Sequence, residues 1–464
     1  MIRIDRSLTP RALRRPIDRM WGLSGQKIQA IQRSWKPGKG APVYTVAGRY
    51  TSRGWTEWTQ GFQFGSALLQ FAATGDASAL AIGRDGTHRY MASHVSHVGV
   101  HDHGFNNVST YGMLRQLAIA GRLDADGGEI AGYDLALKVS GAVQAARWTD
   151  LPDGLGYIYS FNGPHSLFAD TVRSLRSLAL AHQLGHVLMG ERDRRISLLR
   201  RLAQHAETTA RYAVYYGTGR DHYDLRGRVA HESIFNLNDG SYRCPNSQQG
   251  YSPFTTWTRG LAWILCGYAE QLEFLSTRAA LEYGSPAEKR RLLKLCLDAA
   301  RATAEFYIEQ TPTDGVPYWD TGAPGLARLE NYRDKAADPF NDEEPVDSSA
   351  AAIAAQGLIR LGRYMTDTGA SKEGRAYLGA GLTVLARLLG EPYVSTDARH
   401  QGLLLHSVYH RPNGWDHVPK GRRIPCGEAC MWGDYHLREA AYLVQQMADG
   451  NYYTFFGEPA PGAS

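Results

Sequence analysis

The sequence predicts an all-α protein of one domain, folded as a ring of six helical hairpins, and three observations carry that prediction. Twelve segments show 3.6-residue hydrophobic periodicity, with little convincing strand between them. Some are apolar around most of their circumference and others carry a single stripe, so an inner and an outer layer of helices are both present. The connections alternate in length: they are short after even-numbered helices and mostly long after odd-numbered ones. If helices run alternately up and down, every long loop then lies at one end of the molecule.

The periodic segments fall at 14–34, 58–74, 77–99, 107–121, 128–147, 170–188, 192–214, 257–276, 286–310, 347–368, 371–390 and 433–448. The second and tenth, "GFQFGSALLQFAATG" and "SSAAAIAAQGLIRLG", are small and apolar on nearly all sides, as inner helices are. The ninth, with "EKRRLLKLCLDAARATAEFY", has the one-sided stripe of an outer helix. Short connectors such as "TGD", "GRLDADG", "MGE" and "DTGAS" follow even helices, whereas 148–169, 215–256, 311–346 and 391–431 follow odd ones. Loops of the latter length in a compact domain point to function. They carry the chemically suggestive stretches to the starts of the even helices: "WTEWTQG", "HDHGF", "FAD", "YRCPNSQQGYSPFTTWTRGLAW", "EEPVDSSAAAI" and "ACMWGDYHLREA". Residues 1–54 read as an N-terminal helix and lead-in belonging to the barrel, 55–450 as the barrel itself and 451–464 as a C-terminal tail.

Composition narrows the function. A chain of 464 residues with 43 % hydrophobic and 21 % charged residues is ordinary globular protein. The net charge of +5 is scattered, which argues against a nucleic-acid partner and leaves a mild preference for small acidic substrates. No run reaches membrane-span length, so no membrane partner is expected. The basic N-terminus lacks an apolar leader core, and five cysteines are a sparse, odd set; both suit a cytoplasmic location. Oligomeric state is not readable from the sequence.

"HVSHVGVHDHGF" offers two readings. His94, His97 and His101 at i, i+3 and i+7 would line one helical face as metal ligands. Alternatively a helix ends near His101 and Asp102 is the residue that matters. Further candidate acids and bases are Asp170, Asp347 and Asp434. Asp347 and Asp434 stand where N-caps and first-turn acids belong, while Asp170 enters a fairly apolar inner helix. Trp55, Trp58, Trp257, Trp263, Trp415 and Trp432 lie at or near the same face and offer flat platforms for sugar rings. Arg259 could pair with a substrate carboxylate or with an acid at a helix start. His231 and Gln249 sit on the longest loop.

Taken together, "HDHGF", "FADTVRSLRSLALA", "QGYSPFTTWTRGLAW", "VPYWD", "DSSAAAIAAQGL" and "WGDYHLREAAYLV" resemble, in order and spacing over about residues 55–450, the unsaturated glucuronyl hydrolases of glycoside hydrolase family 88. That resemblance implies an (α/α)6 barrel, which agrees with the loop parity. It also implies release of a 4,5-unsaturated uronic acid from the non-reducing end of lyase-generated oligosaccharides. It places the catalytic pair on Asp102 and Asp170, and substrate contacts on Trp58, His231, Gln249, Trp257 and Arg259. It implies no cofactor and no metal. Leu261, His103 and the basic loop 410–428, with Lys420, Arg422 and Arg423, depart from the family pattern and bear on the outer subsites.

The implied chemistry is hydration of a vinyl ether: a proton goes to C4, charge develops at C5 and the ring oxygen, and water adds at C5. Asp170 is the expected acid and then base. Asp102 is expected to stay ionised, and its negative charge to hold the proton on Asp170. Alternatives are an unsaturated rhamnogalacturonyl hydrolase on the same barrel, a sugar epimerase and a non-catalytic sugar-binding barrel.

Overall fold

The computed structural model describes residues 1–54 and 57–457. Among the described residues twelve main helices follow one another: α1 (Arg14–Ser34), α2 (Gln60–Thr74), α3 (Ala77–Tyr90), α4, α5 (Gly127–Ala146), α6, α7 (Leu198–Tyr212), α8 (Thr258–Thr277), α9 (Pro286–Gln310), α10 (Ser348–Asp367), α11 (Ser371–Leu388) and α12 (Met431–Ala448). Helix α4 runs through His103–Asn107, a π-turn at Val108–Gly112 and Met113–Ile119; α6 comprises Thr171–Ser174 and Arg176–Gln183. The starts are written in the sequence. Asp76, Asp126, Ser197, Ser285 and Asp347 each accept a backbone N–H of the first turn of α3, α5, α7, α9 and α10.

The even helices pack against one another in the order α2, α4, α6, α8, α10, α12 and back to α2, which closes the inner ring, and the odd helices wrap it. Helix α8 is buried from Thr258 to Leu275 and α12 from Met431 to Gln445, whereas α9 buries only one side. The six-hairpin (α/α)6 barrel expected from periodicity and loop parity is therefore the fold.

Three expectations need correction. The connector read as "MGE" is the longer stretch 184–197, which holds a hairpin of Leu188–Met189 and Arg195–Ile196. The helix read over 77–99 stops at Tyr90, and a single turn, Ala92–Val95, follows. Asn107 Nδ2 donates to the His94 carbonyl at 3.0 Å, taking an acceptor that a continuing helix would use. Short strands are also present. Strands β1 (Ser166–Phe168), β2 (Glu232–Phe235) and β3 (Tyr242–Asn246) form an antiparallel sheet in the order β1-β2-β3 on the loop face. Its three- to five-residue strands are too short for period-two patterning to show.

The interior of the ring is partly ionic. Arg173 pairs with Glu270 at 2.9 Å and Glu439 at 2.8 Å, and Arg360 with Glu273 at 2.7 Å, all fully buried. Away from the loop face, Asn451–Gly457, the described part of the expected tail, packs against the barrel. Phe455 and Phe456 are buried there, and Gln116 and Arg360 donate to the carbonyls of Thr454 and Tyr453.

Candidate active site

Asp102 and Asp170 occupy the N-cap positions of α4 and α6, yet neither side chain makes a capping bond. Both carboxyls are therefore free for other chemistry. Asp347 and Asp434 are not. Asp347 caps α10, and Asp434 accepts from the N–H groups of Leu403 and Leu404 and from the Tyr50 hydroxyl.

The chain brings Asp102 and Asp170 together by removing a side chain between them. A Cβ at Gly104 would lie 2.2 Å from the Ser174 carbonyl oxygen, so α4 and α6 touch backbone to backbone only because residue 104 is glycine. The Ser174 hydroxyl fixes the contact: it accepts from Gly104 N–H at 2.9 Å and donates to the His101 carbonyl at 2.7 Å. Gln144 of α5 donates to the same carbonyl at 2.8 Å and to Ser174 Oγ at 3.0 Å.

Between the carboxyls lies the imidazole of His101. Its Nε2 stands 3.2 Å from Asp170 Oδ2 and 3.7 Å from Asp102 Oδ1, and one donor atom from each of the three residues falls within 4.8 Å of the others. These three side chains are where a cation could be held, and the arrangement differs from the helical histidine stripe. His94 instead faces Asn106, at 3.2 Å, and His103 bonds Ser140 and the His97 carbonyl.

The charges are distributed differently from the sequence expectation. Burial raises the Asp102 carboxyl above its ordinary range, against the pull of His101. Burial acts on Asp170 in the same direction, but the hydrogen bond and charge of His101 outweigh it and leave Asp170 below the usual range. Asp170 rather than Asp102 is thus the more readily ionised, because the one imidazole is nearer to it. The sequence reading put no group between the two acids.

His231 is placed by the sheet. Phe168 of β1 pairs with Glu232 of β2, and Ala169 N–H donates to the His231 carbonyl, which sets His231 beside Asp170. Its Nδ1 accepts from the N–H groups of Gln248 at 3.0 Å and Gln249 at 3.3 Å, so the ring proton is on Nε2. Burial holds this imidazole neutral, with its pKa lowered to about 4. The buried Nε2–H has no acceptor among the described residues, which makes it a donor suited to a sugar oxygen or carboxylate.

From His231 the contacts continue around the mouth. Its ring meets Trp257 edge-on at 4.7 Å, and Arg259 lies over Trp257 at 4.6 Å and over Trp432 at 5.1 Å. Trp58 stacks on Trp432 at 5.0 Å and approaches Phe105 at 6.3 Å, one turn beyond Asp102. Gln249 Oε1 accepts from Arg259 at 3.1 Å. All seven site residues expected from the sequence thus stand in one contact circuit. Trp55, named with them as a platform candidate, lies outside the described residues.

Arg259 resolves its two readings. Its guanidinium pairs with Asp347 at 2.5 Å and donates to the carbonyls of Val408 at 2.9 Å and Tyr409 at 2.8 Å. It is the strut that ties α8, α10 and the 389–430 loop together. Of the basic loop residues, Arg422 is spent on Asn341 and Asp342, while Lys420 and Arg423 are exposed.

Residues that the sequence reading passed over, or gave another role, complete the site. His101, Ser174 and Gln144 are named above. Arg147 is a buried cation whose nitrogens go to the carbonyls of Val98, Tyr159 and Ser160, binding the segment before His101 to the next loop. The sequence marked His101 only through the His94, His97 and His101 spacing, as a metal ligand; nothing in it marks Ser174, Gln144 or Arg147.

The fold and the site define an all-α barrel with an acid pair at the loop end of its inner ring. The chain is 27 % identical over 246 residues to a protein named unsaturated glucuronyl hydrolase from Formosa agariphila, which covers 53 % of this chain and 48 % of that one. It is 29 % identical over 211 residues to a protein named unsaturated chondroitin disaccharide hydrolase from Streptococcus pneumoniae, covering 45 % of this chain and 41 % of that one. These matches span about half the length of the curated relatives. The crystal structure of unsaturated glucuronyl hydrolase from Streptococcus agalactiae superposes with a TM-score of 0.68 at 20 % identity, over 94 % of this chain and 93 % of that one. That likeness establishes the barrel. No protein-family model matches the chain.

Proposed function

We propose that the chain is a glycoside hydrolase that releases a 4,5-unsaturated uronic acid from the non-reducing end of lyase-generated oligosaccharides, by hydrating the C4=C5 vinyl ether. The observation that carries this reading is the meeting of the Asp102, Asp170 and His101 side chains within 4.8 Å, at the loop end of the barrel. Carboxyls this close leave no room for the intervening water of an inverting displacement, which needs about 6.5–9.5 Å; a retaining pair at about 5–5.5 Å is nearer, and hydration is favoured over it by relatives named for unsaturated substrates. An acid and base acting at a double bond has no such need.

Asp170, with the more exposed carboxyl of the pair, delivers the proton to C4. As carboxylate it then takes a proton from the water that adds at C5, and the hemiketal so formed opens and frees the aglycone. Asp102 offsets the positive charge at C5 and the ring oxygen. His231 Nε2–H and the Trp58, Trp257 and Gln249 side chains hold the sugar, and Arg259 keeps their supports in place. The reading is supported by relatives named for unsaturated glucuronyl and unsaturated chondroitin disaccharide substrates.

The five cysteines are all free thiols, which fits a cytoplasmic protein acting on imported fragments. Among the described residues no helix is long and apolar enough to cross a membrane. Mixing the protein with the unsaturated disaccharide of a chondroitin lyase digest tests the reaction directly. The near-ultraviolet absorbance of the double bond is expected to disappear with turnover. Persistence of that absorbance, here and with glucuronyl-terminated digests of other polysaccharides, would end the reading. Consumption of pectin-derived fragments alone would move it to the rhamnogalacturonyl class.

A further inference from the structure

The carboxyl expected to protonate carbon is the one the protein holds ionised, and the atom responsible is His101 Nε2. This imidazole is 1 % exposed, and its ring is clamped between Phe161, stacked at 5.9 Å, and Phe168, edge-on at 5.5 Å. Its main-chain carbonyl is fixed by Ser174 and Gln144. Among the described residues the buried Nδ1 has no partner, so there Nε2 is the ring atom with a protein group to bond, and that group is Asp170.

We propose that His101 is a positioning residue that acts as the proton reservoir of the site, holding on Nε2 the proton that Asp170 then places on the substrate. In the resting protein the proton resides on the imidazole, between two carboxylates. As C4 attacks, the Nε2–H bond breaks and Asp170 Oδ2–H forms; that bond breaks in turn as C4–H forms, leaving neutral imidazole beside a carboxylate. The proton shed by water at C5 returns to Asp170 and from there to Nε2, so charge and protons balance over a turnover.

The surroundings fit such a store. Burial opposes a charged His101, but the charges of Asp102 and Asp170 outweigh it, and the imidazole holds its proton above its ordinary value. Arg147 is the cation nearby that works against it. His205 and His231 face the same group, but burial lowers them to about 3 and about 4, so they are neutral neighbours and do not compete for the proton. Asp102 is 3.7 Å from the same nitrogen and holds the imidazolium without accepting its hydrogen bond.

The inference rests on the hydration reading, and the test separates the two. His101→Gln keeps an amide donor for Asp170 but cannot store a proton, so the proton must then reside on a carboxyl with an unperturbed value about 2.6 units lower. With the unsaturated chondroitin disaccharide, the alkaline limb of kcat/KM is expected to move down by a unit or more. The deficit relative to wild type should shrink at least about threefold from pH 8 to pH 6. An equal deficit at every pH would make His101 a packing residue and overturn the store while leaving hydration intact; an inactive wild type would overturn both. Imidazole nitrogen NMR of the full chain reads the same point without turnover. The signal lost in His101→Gln should titrate above 6.5 in wild type and lower in Asp170→Asn; a His101 already neutral at pH 6, or one unmoved by Asp170→Asn, sinks the proposal.

Discussion

Gly104 and Ser174 meet backbone to backbone, and that contact sets the distance between the two acids. An added methyl at 104 would lie 2.2 Å from the Ser174 carbonyl oxygen and 2.6 Å from its Cα, so α4 and α6 must separate to admit it. Overpacking of this kind costs about 1–3 kcal/mol. It also pulls Asp102 away from Asp170 and strips Gly104 N–H from the Ser174 hydroxyl. Gly104→Ala is expected to lower the melting temperature by several degrees and kcat by at least tenfold. An active, equally stable variant would show that the acids are held by something else.

Asp170→Asn keeps the shape of the side chain and removes its ability to pass a proton. General acid–base groups contribute about 10²–10⁴-fold, and here one group serves both steps. Turnover of the unsaturated disaccharide should fall below detection, while calorimetric affinity for it changes less than about threefold, because His231 and the tryptophans still hold the ring. Wild-type-like turnover would remove Asp170 from the mechanism.

Arg259 supports the sugar platform through four different groups, and a lysine cannot reproduce them. Arg259→Lys loses the fork that joins Asp347, the carbonyls of Val408 and Tyr409, and Gln249, and leaves the buried Asp347 carboxyl short of a partner. Breaking a buried charge pair typically costs about 3–5 kcal/mol. The expected result is a KM raised more than kcat is lowered, together with reduced thermal stability. A loss confined to kcat would instead place Arg259 on the reacting atoms.

The barrel was legible because its determinants are periodic. Helix positions, the two layers and the loop face all follow from spacing and loop length, and α2 and α10 show their inner location by composition alone. The acids were legible as types at helix starts, since Asp347 could be set aside as a cap and Asp434 as a first-turn acid. What the sequence concealed is non-local. The His101 bridge depends on an approach of α4 to α6 that no local pattern encodes, and the three strands that seat His231 are too short to announce themselves. "HVSHVGVHDHGF" misled in the same way: its i, i+3, i+7 spacing is meaningful only on a helix, and Asn107 ends that helix from a distance.

The ionic interior is equally non-local, and it can be tested. Arg173 has no exposure and lies between Glu270 and Glu439; Glu439 is held down to about 2, against its burial, by Arg173 and Arg176. Arg173→Met would leave two buried carboxylates with one cation fewer. It is expected to destabilise the fold by about 3–5 kcal/mol in urea titrations. Arg173→Met combined with Glu439→Gln should recover part of that loss, a coupling that independent surface contributions would not produce.

Acid should unfold the protein well above the carboxylate range, through its histidines. His94, His103, His231, His406 and His410 are lowered to about 4 and His205 and His436 to about 3, in each case chiefly by burial. Below about 6.5 the unfolded chain takes up protons at these positions while the folded protein does not, so stability present at neutral pH is lost as the pH falls. Each group contributes about 1.4 kcal/mol per pH unit until its own folded value is reached. His101, held above its ordinary value, opposes the trend only weakly: its contribution is complete below 6.5 and fades as the pH rises. Each therefore costs about 2 kcal/mol by pH 5, and three acting together about 6 kcal/mol, comparable with the lower end of a typical stability of about 5–15 kcal/mol. The melting temperature is expected to drop by more than about 10 °C between pH 7 and pH 5, and His205→Gln or His436→Gln should each reduce that slope. A melting temperature flat across this interval would mean that water reaches these imidazoles and lets them charge inside the folded protein.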